Sequence, residues 1–129
     1  MALHRVLIVD DTADVRLLVR VVLESTAQYE IVDEARDGRE AIALATMHLP
    51  DVIVIDQMMP DLSGSEAVPQ LRQAAPDARI VMFSAVSSSM MAERGEGADA
   101  YVDKGDIDAL LAALTEVTAR NPGEAPSAI

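Results

Sequence analysis

Five polar residues of this chain each close a short apolar run. Asp10 and Asp11 follow Val6–Val9, and Asp56 follows Val52–Ile55. Ser84 follows Ala78–Phe83, and Lys104 follows Ala100–Asp103. Three carboxylates brought together repel one another, and a hard divalent cation relieves that repulsion. Mg2+ takes oxygen ligands and keeps several waters, so two carboxylates and a backbone carbonyl suffice to hold it. One carboxylate then remains to attack, because carboxylates can form aspartyl-phosphate intermediates. A cation and a lysine would neutralise the charge developing on a transferred phosphoryl group. Ser84 offers a hydroxyl that could donate to a phosphoryl oxygen. The chain has no glycine loop ending in Lys-Ser/Thr, so a nucleotide is not the expected donor.

These residues can cooperate only if the elements before them run side by side. The β-branched run Val52–Ile55 reads as a strand buried on both faces, of the kind found inside a parallel sheet. Val6–Val9 reads the same way. Thr12 can cap a helix whose apolar stripe is Val15, Leu18, Val19, Val22 and Leu23, with Arg16 and Arg20 lying off that stripe. Tyr29–Ala35 is a short strand, Asp37-Gly38 a turn, and Arg39–Leu49 a helix ended by Pro50. A loop over Pro60–Gly64 leads to a helix through Leu71 and Arg72 that Pro69 should weaken or kink. Ala78–Phe83 is the fourth strand and Ala100–Asp103 the fifth. Ile107–Arg120 is an amphipathic helix built on Ile107, Leu110, Leu111, Leu114 and Val117. Strand then helix, five times over, predicts an α/β domain with a doubly wound five-stranded parallel sheet flanked by five helices. In that architecture Asp10, Asp11, Asp56, Ser84 and Lys104 share the carboxyl edge of the sheet, where such folds bind ligands.

Composition narrows the function. The chain has 129 residues, enough for one domain with a real core. Its formal net charge of -12 repels nucleic acid and anionic membrane surfaces, so direct binding to either is not expected. Cations, or a partner with a basic patch, remain open. Cysteine is absent, which excludes disulfides and thiolate chemistry. The apolar run near the N-terminus is too short for a signal core or a membrane span, and the expected compartment is the cytoplasm.

At this point the chain resembles the receiver domain of two-component response regulators. The resemblance rests on Val9-Asp10-Asp11, Ile55–Pro60 with Gly64, Phe83-Ser84-Ala85, and Tyr101–Lys104, and it spans about Arg5 to Arg120. It implies a flavodoxin-like fold. It implies that Asp56 is the phosphoacceptor and that Asp10, Asp11 and Asp56 bind Mg2+ with the backbone carbonyl of Gln57. Ser84 is similar to the family's switch hydroxyl, Lys104 to its phosphoryl-binding lysine, and Tyr101 to its switch aromatic. The implied donor is a histidine kinase or a histidine phosphotransfer protein, and the implied output is a switched surface for a downstream protein. The chain is then a self-dephosphorylating switch rather than a turnover enzyme. Residues 1–120 form the receiver, and 121–129 a flexible tail or the start of a linker.

Some positions depart from the family pattern. Gly105 stands where a cis-proline is usual, and the span from Ser84 to Lys104 is short and carries Gly95 and Gly97. The fourth helix is therefore expected to be short or irregular. That helix, with the fifth strand and fifth helix, is the face through which such domains often dimerise. Met58 and Val86 flank the site, and two apolar side chains there could hinder an attacking water. Plainer readings also exist. Asp10 and Asp11 could merely favour a helix N-terminus, Tyr101 could be an ordinary half-buried strand residue, and His48 could complement a helix end. Three other functions compete: a phosphorylation-independent scaffold, the receiver fragment of a longer DNA-binding regulator, and a Mg2+-dependent aspartyl-phosphate hydrolase. The last usually has a second carboxylate two residues after the nucleophile, where this chain has Met58.

Overall fold

A computed structural model describes residues 3–85 and 97–119. The chain alternates β1 (His4–Val9), α1 (Ala13–Ser25), β2 (Tyr29–Ala35), α2 (Gly38–His48), β3 (Val52–Ile55), α3 (Gly64–Ala74) and β4 (Arg79–Ser84). After the undescribed stretch 86–96 come β5 (Ala100–Asp103) and α4 (Ile107–Ala119). The five strands are all parallel, in the order β2-β1-β3-β4-β5. The doubly wound sheet is as expected. Four of the five expected helices lie in the described residues, and the expected irregular fourth helix falls outside them.

Alternation along the strands divides the core in two. Leu7, Val9, Ile53, Ile55, Ile80 and Met82 face α2 and α3, where Ala41, Ala45, Ala67, Val68 and Leu71 meet them. Val6, Ile8, Val52, Val54, Val81 and Phe83 face α1 and α4 and pack on Val19, Leu23, Leu110 and Leu114. β3 is buried along its whole length, which is why its sequence is a continuous apolar run rather than an alternating one.

Local details differ from the sequence expectations in two places. Asp37 and Gly38 do not make a free turn. The Asp37 side chain caps α2 by accepting the Glu40 amide at 2.8 Å, and Gly38 is the first helical residue. Thr12 precedes α1, but its side chain caps nothing; its amide instead donates to Asp10 Oδ1 at 2.9 Å. α3 runs on through Pro69 without ending, and its start is secured by a reciprocal capping box between Ser63 and Glu66.

Candidate phosphoryl-acceptor site

Backbone hydrogen bonds one step past the strands fix the site residues. The Asp10 amide donates to the Ala35 carbonyl of β2 at 3.0 Å. The Asp56 amide donates to the Val9 carbonyl of β1 at 3.0 Å, and the Lys104 amide to the Ser84 carbonyl of β4 at 2.9 Å. Each chemical group therefore hangs from the end of one strand and is pinned by its neighbour. Asp10 and Asp56 are each only 3% exposed, while Asp11 is exposed.

One ammonium joins two of the carboxylates. Lys104 Nζ lies 2.8 Å from Asp10 Oδ2 and 2.7 Å from Asp56 Oδ2. The other oxygens take backbone donors: Asp10 Oδ1 accepts from Thr12, and Asp56 Oδ1 accepts the Met58 amide at 3.2 Å. Carboxylate oxygens of Asp10, Asp11 and Asp56 lie within 4.8 Å of one another. Burial raises the Asp10 carboxyl above the ordinary range, and the neighbouring Asp56 charge adds to this; the hydrogen bonds from Lys104 and Thr12 oppose it without cancelling it. Burial alone would lower the Lys104 ammonium, but its hydrogen bonds and charge contacts with both carboxylates outweigh that and hold it above its usual value.

A cluster of three carboxylates, two of them sharing one lysine, has surplus negative charge. Its donor atoms are all oxygens, which suits a hard cation such as Mg2+. The backbone oxygen expected from Gln57 is partly committed, because it accepts the Gly64 amide at 3.0 Å. Its side chain is committed too, since Oε1 accepts from the Ser65 amide at 2.7 Å and the Ser65 hydroxyl at 2.6 Å. Gln57 thus ties the loop after β3 to the start of α3. Gly64 is required there, for a Cβ would collide with the Asp56 carbonyl.

Ser84 is buried at the end of β4, the strand between those carrying Asp56 and Lys104. Tyr101 is half-buried on β5, in register with Met82, and packs toward the α2 and α3 side. Its hydroxyl accepts the Ala98 amide at 3.1 Å. Val86 lies outside the described residues; Met58, whose amide donates to Asp56, is 63% exposed. Around Gly105 the space where a side chain would begin is open. Two contacts were missed from sequence. Arg16 reaches from α1 to the Asp10 carbonyl, and His48 meets Asp33 of β2 at 3.0 Å. The helical offset of Arg16 from its apolar stripe was the only available hint of the first.

The fold and the carboxylate cluster at its carboxyl edge together define an α/β domain of the receiver kind. The chain belongs to the response regulator receiver domain family, whose family model matches residues 6–115. It is 36% identical over 88 residues to the chemotaxis protein CheY of Bacillus subtilis, covering 68% of this chain and 72% of that one. It is 38% identical over 125 residues to a protein-glutamate methylesterase/protein-glutamine glutaminase of Vibrio parahaemolyticus, which covers 95% of this chain but 32% of the relative. Among solved structures, a two-component response regulator of the LuxR family from Aurantimonas superposes with a TM-score of 0.84 at 33% identity, over 97% of this chain and 91% of that one. Among the described residues, no helix is long and apolar enough to cross a membrane.

Proposed function

We propose that the chain takes a phosphoryl group onto Asp56 from a histidine kinase or histidine phosphotransfer protein, in a Mg2+-dependent step, and thereby switches a surface for a downstream protein. The observation that carries this reading is a 3%-exposed carboxylate whose Oδ2 is held by the same lysine that holds a second buried carboxylate. Burial of that kind is costly and marks function.

In the transfer, an Asp56 oxygen forms a bond to phosphorus as the phosphorus–nitrogen bond of the donor phosphohistidine breaks. The leaving imidazole nitrogen keeps the electron pair and is protonated. Bound at this edge, Mg2+ supplies positive charge that offsets the anions during attack. Asp10, Asp11 and Asp56 would be its carboxylate ligands. Gln57 has one carbonyl lone pair left after Gly64. Lys104 stabilises the phosphoryl oxygens, and Ser84 donates its hydroxyl to one of them. Tyr101 follows Ser84, and its inward turn must release the Ala98 amide. The receiver comprises residues 1–120, and the tail or linker expected over 121–129 lies outside the described residues. The aspartyl-phosphate hydrolase reading loses support, because the position two residues after Asp56 holds an exposed methionine with no proton to exchange.

The test is intact mass after incubation with acetyl phosphate. The parent should gain one phosphoryl group only when Mg2+ is present, and Asp56→Asn should gain none. If the parent gains none and forms no beryllofluoride complex, the switch reading fails and a scaffold role replaces it.

A further inference from the structure

The carboxylate turn is held from outside by a side-chain bridge that the chemistry above does not use. Arg16 Nη1 donates to the backbone carbonyl of Asp10 at 2.7 Å, and its Nε donates to Glu34 Oε1 at 3.1 Å. Arg20 takes the other Glu34 oxygen at 2.6 Å. The Asp10 carbonyl belongs to the peptide plane that carries the Asp11 nitrogen, so Arg16 fixes the direction in which Asp11 leaves β1. That matters because the Asp11 side chain has little else to hold it. Its described hydrogen bond, from the Thr12 hydroxyl, is 3.5 Å long.

A break in β2 makes this bridge available. β2 pairs with β1 as Val6↔Ile31 and then Leu7↔Asp33, skipping Val32. Paired residues in a parallel ladder share a face. Because of the skip, Glu34 sits beside Ile8 on the α1 side, under Arg16 and Arg20, while Asp33 sits beside Leu7 on the α2 side, where His48 meets it. Unbroken pairing would set Glu34 beside Val9, facing α2 and out of reach of Arg16.

We propose that Arg16, oriented by Glu34 across the β2 bulge, is a positioning residue for the metal-binding turn Asp10-Asp11. This rests on the Mg2+ reading of the site. Arg20 shares Glu34 but donates nothing to the turn, which makes it an internal control.

The experiment measures Mg2+ affinity by calorimetry on the full chain for the parent, Arg16→Met and Arg20→Met, with thermal melts beside each. Both variants remove a Glu34 partner while keeping an apolar stem. Arg16→Met should weaken Mg2+ binding about tenfold or more, as loss of an outer-shell support does elsewhere. Arg20→Met should stay within about twofold of the parent, whatever it does to the melt. Equal effects in the two variants, or no change in Arg16→Met, overturn the proposal. If Arg16→Met does not fold, Glu34→Gln replaces it and must weaken binding in the same direction; an unchanged affinity there overturns the proposal equally. A parent that binds no Mg2+ overturns both readings. A parent that binds Mg2+ but takes up no phosphoryl group overturns only the acceptor reading and leaves this one to the affinities.

Discussion

At the amino edge of the sheet, Arg5 gives its guanidinium to the carbonyls of His48 and Leu49, at 2.7 and 3.2 Å. Arg79, buried at the start of β4, gives Nε to the Val117 carbonyl at 3.1 Å and Nη1 to the Asp77 carbonyl at 3.2 Å. The Asp51 carboxylate takes the Arg5 amide, and the Asp99 carboxylate takes the Ile80 amide and Arg72. At the carboxyl edge, Asp10 and Asp56 share one lysine, with Asp11 close by. The first set consists of charges satisfied largely by backbone, and each clips a loop or helix end to the sheet. The second set has more anions than cations and so has an affinity left to exercise. Charged residues at strand ends are thus not equivalent. What separates a clip from a site is whether the local hydrogen bonds and charges already balance.

The contrast can be broken or sharpened by substitution. Arg79→Met should cost about 2 kcal/mol of stability, since it strands carbonyls under the end of α4. Urea unfolding reads this. Mg2+ affinity should not move, and a shift in it would mean the two edges are coupled. Asp10→Asn should act with the opposite sign, raising the stability of the metal-free protein by about 1 kcal/mol at pH 7, because it removes a buried anion. The pH dependence follows from the direction of the shift. The Asp10 carboxyl is raised in the folded state, so the folded protein holds that proton more tightly than the unfolded chain. The parent therefore gains relative stability as pH falls through the raised value toward the ordinary 3.8, and the advantage of Asp10→Asn should shrink over that window. Melts from pH 7 to 4 test it, and an advantage that grows on acidification contradicts it. The smallest effect concerns Met58, whose amide donates to Asp56 and whose side chain is exposed. Met58→Asn should speed loss of the phosphoryl group about threefold, by admitting a polar side chain that can orient water. Decay no faster than the parent's would remove Met58 as a shield.

The sheet and its carboxyl-edge residues were legible because both rest on strong signals. Buried parallel strands announce themselves as apolar runs, and a polar residue closing each run is conspicuous. Asp10, Asp11, Asp56 and Lys104 do converge. What stayed hidden depends on register and on paired partners. The expected turn at Asp37-Gly38 is a helix start, because the Asp37 side chain finds the Glu40 amide. Thr12 looked like a cap, but the Asp10 carboxylate claims its amide. Pro69 lies inside α3, whose start is held by the capping box and whose Leu71 is buried. The β2 bulge had no signature, since Ile31, Val32 and Asp33 read as ordinary strand residues, and without it the partner of Arg16 could not be found.

β5 stands at the end of the sheet order and has only four residues, with β4 its one strand neighbour. Asp10, Asp11 and Asp56 follow β1 and β3, each flanked by strands on both sides. The site is therefore lopsided in its mounting: its anions come from strands at the centre of the sheet, and its cation follows the border strand. A displacement of the border strand would therefore move the Lys104 cation relative to anions that the centre of the sheet carries.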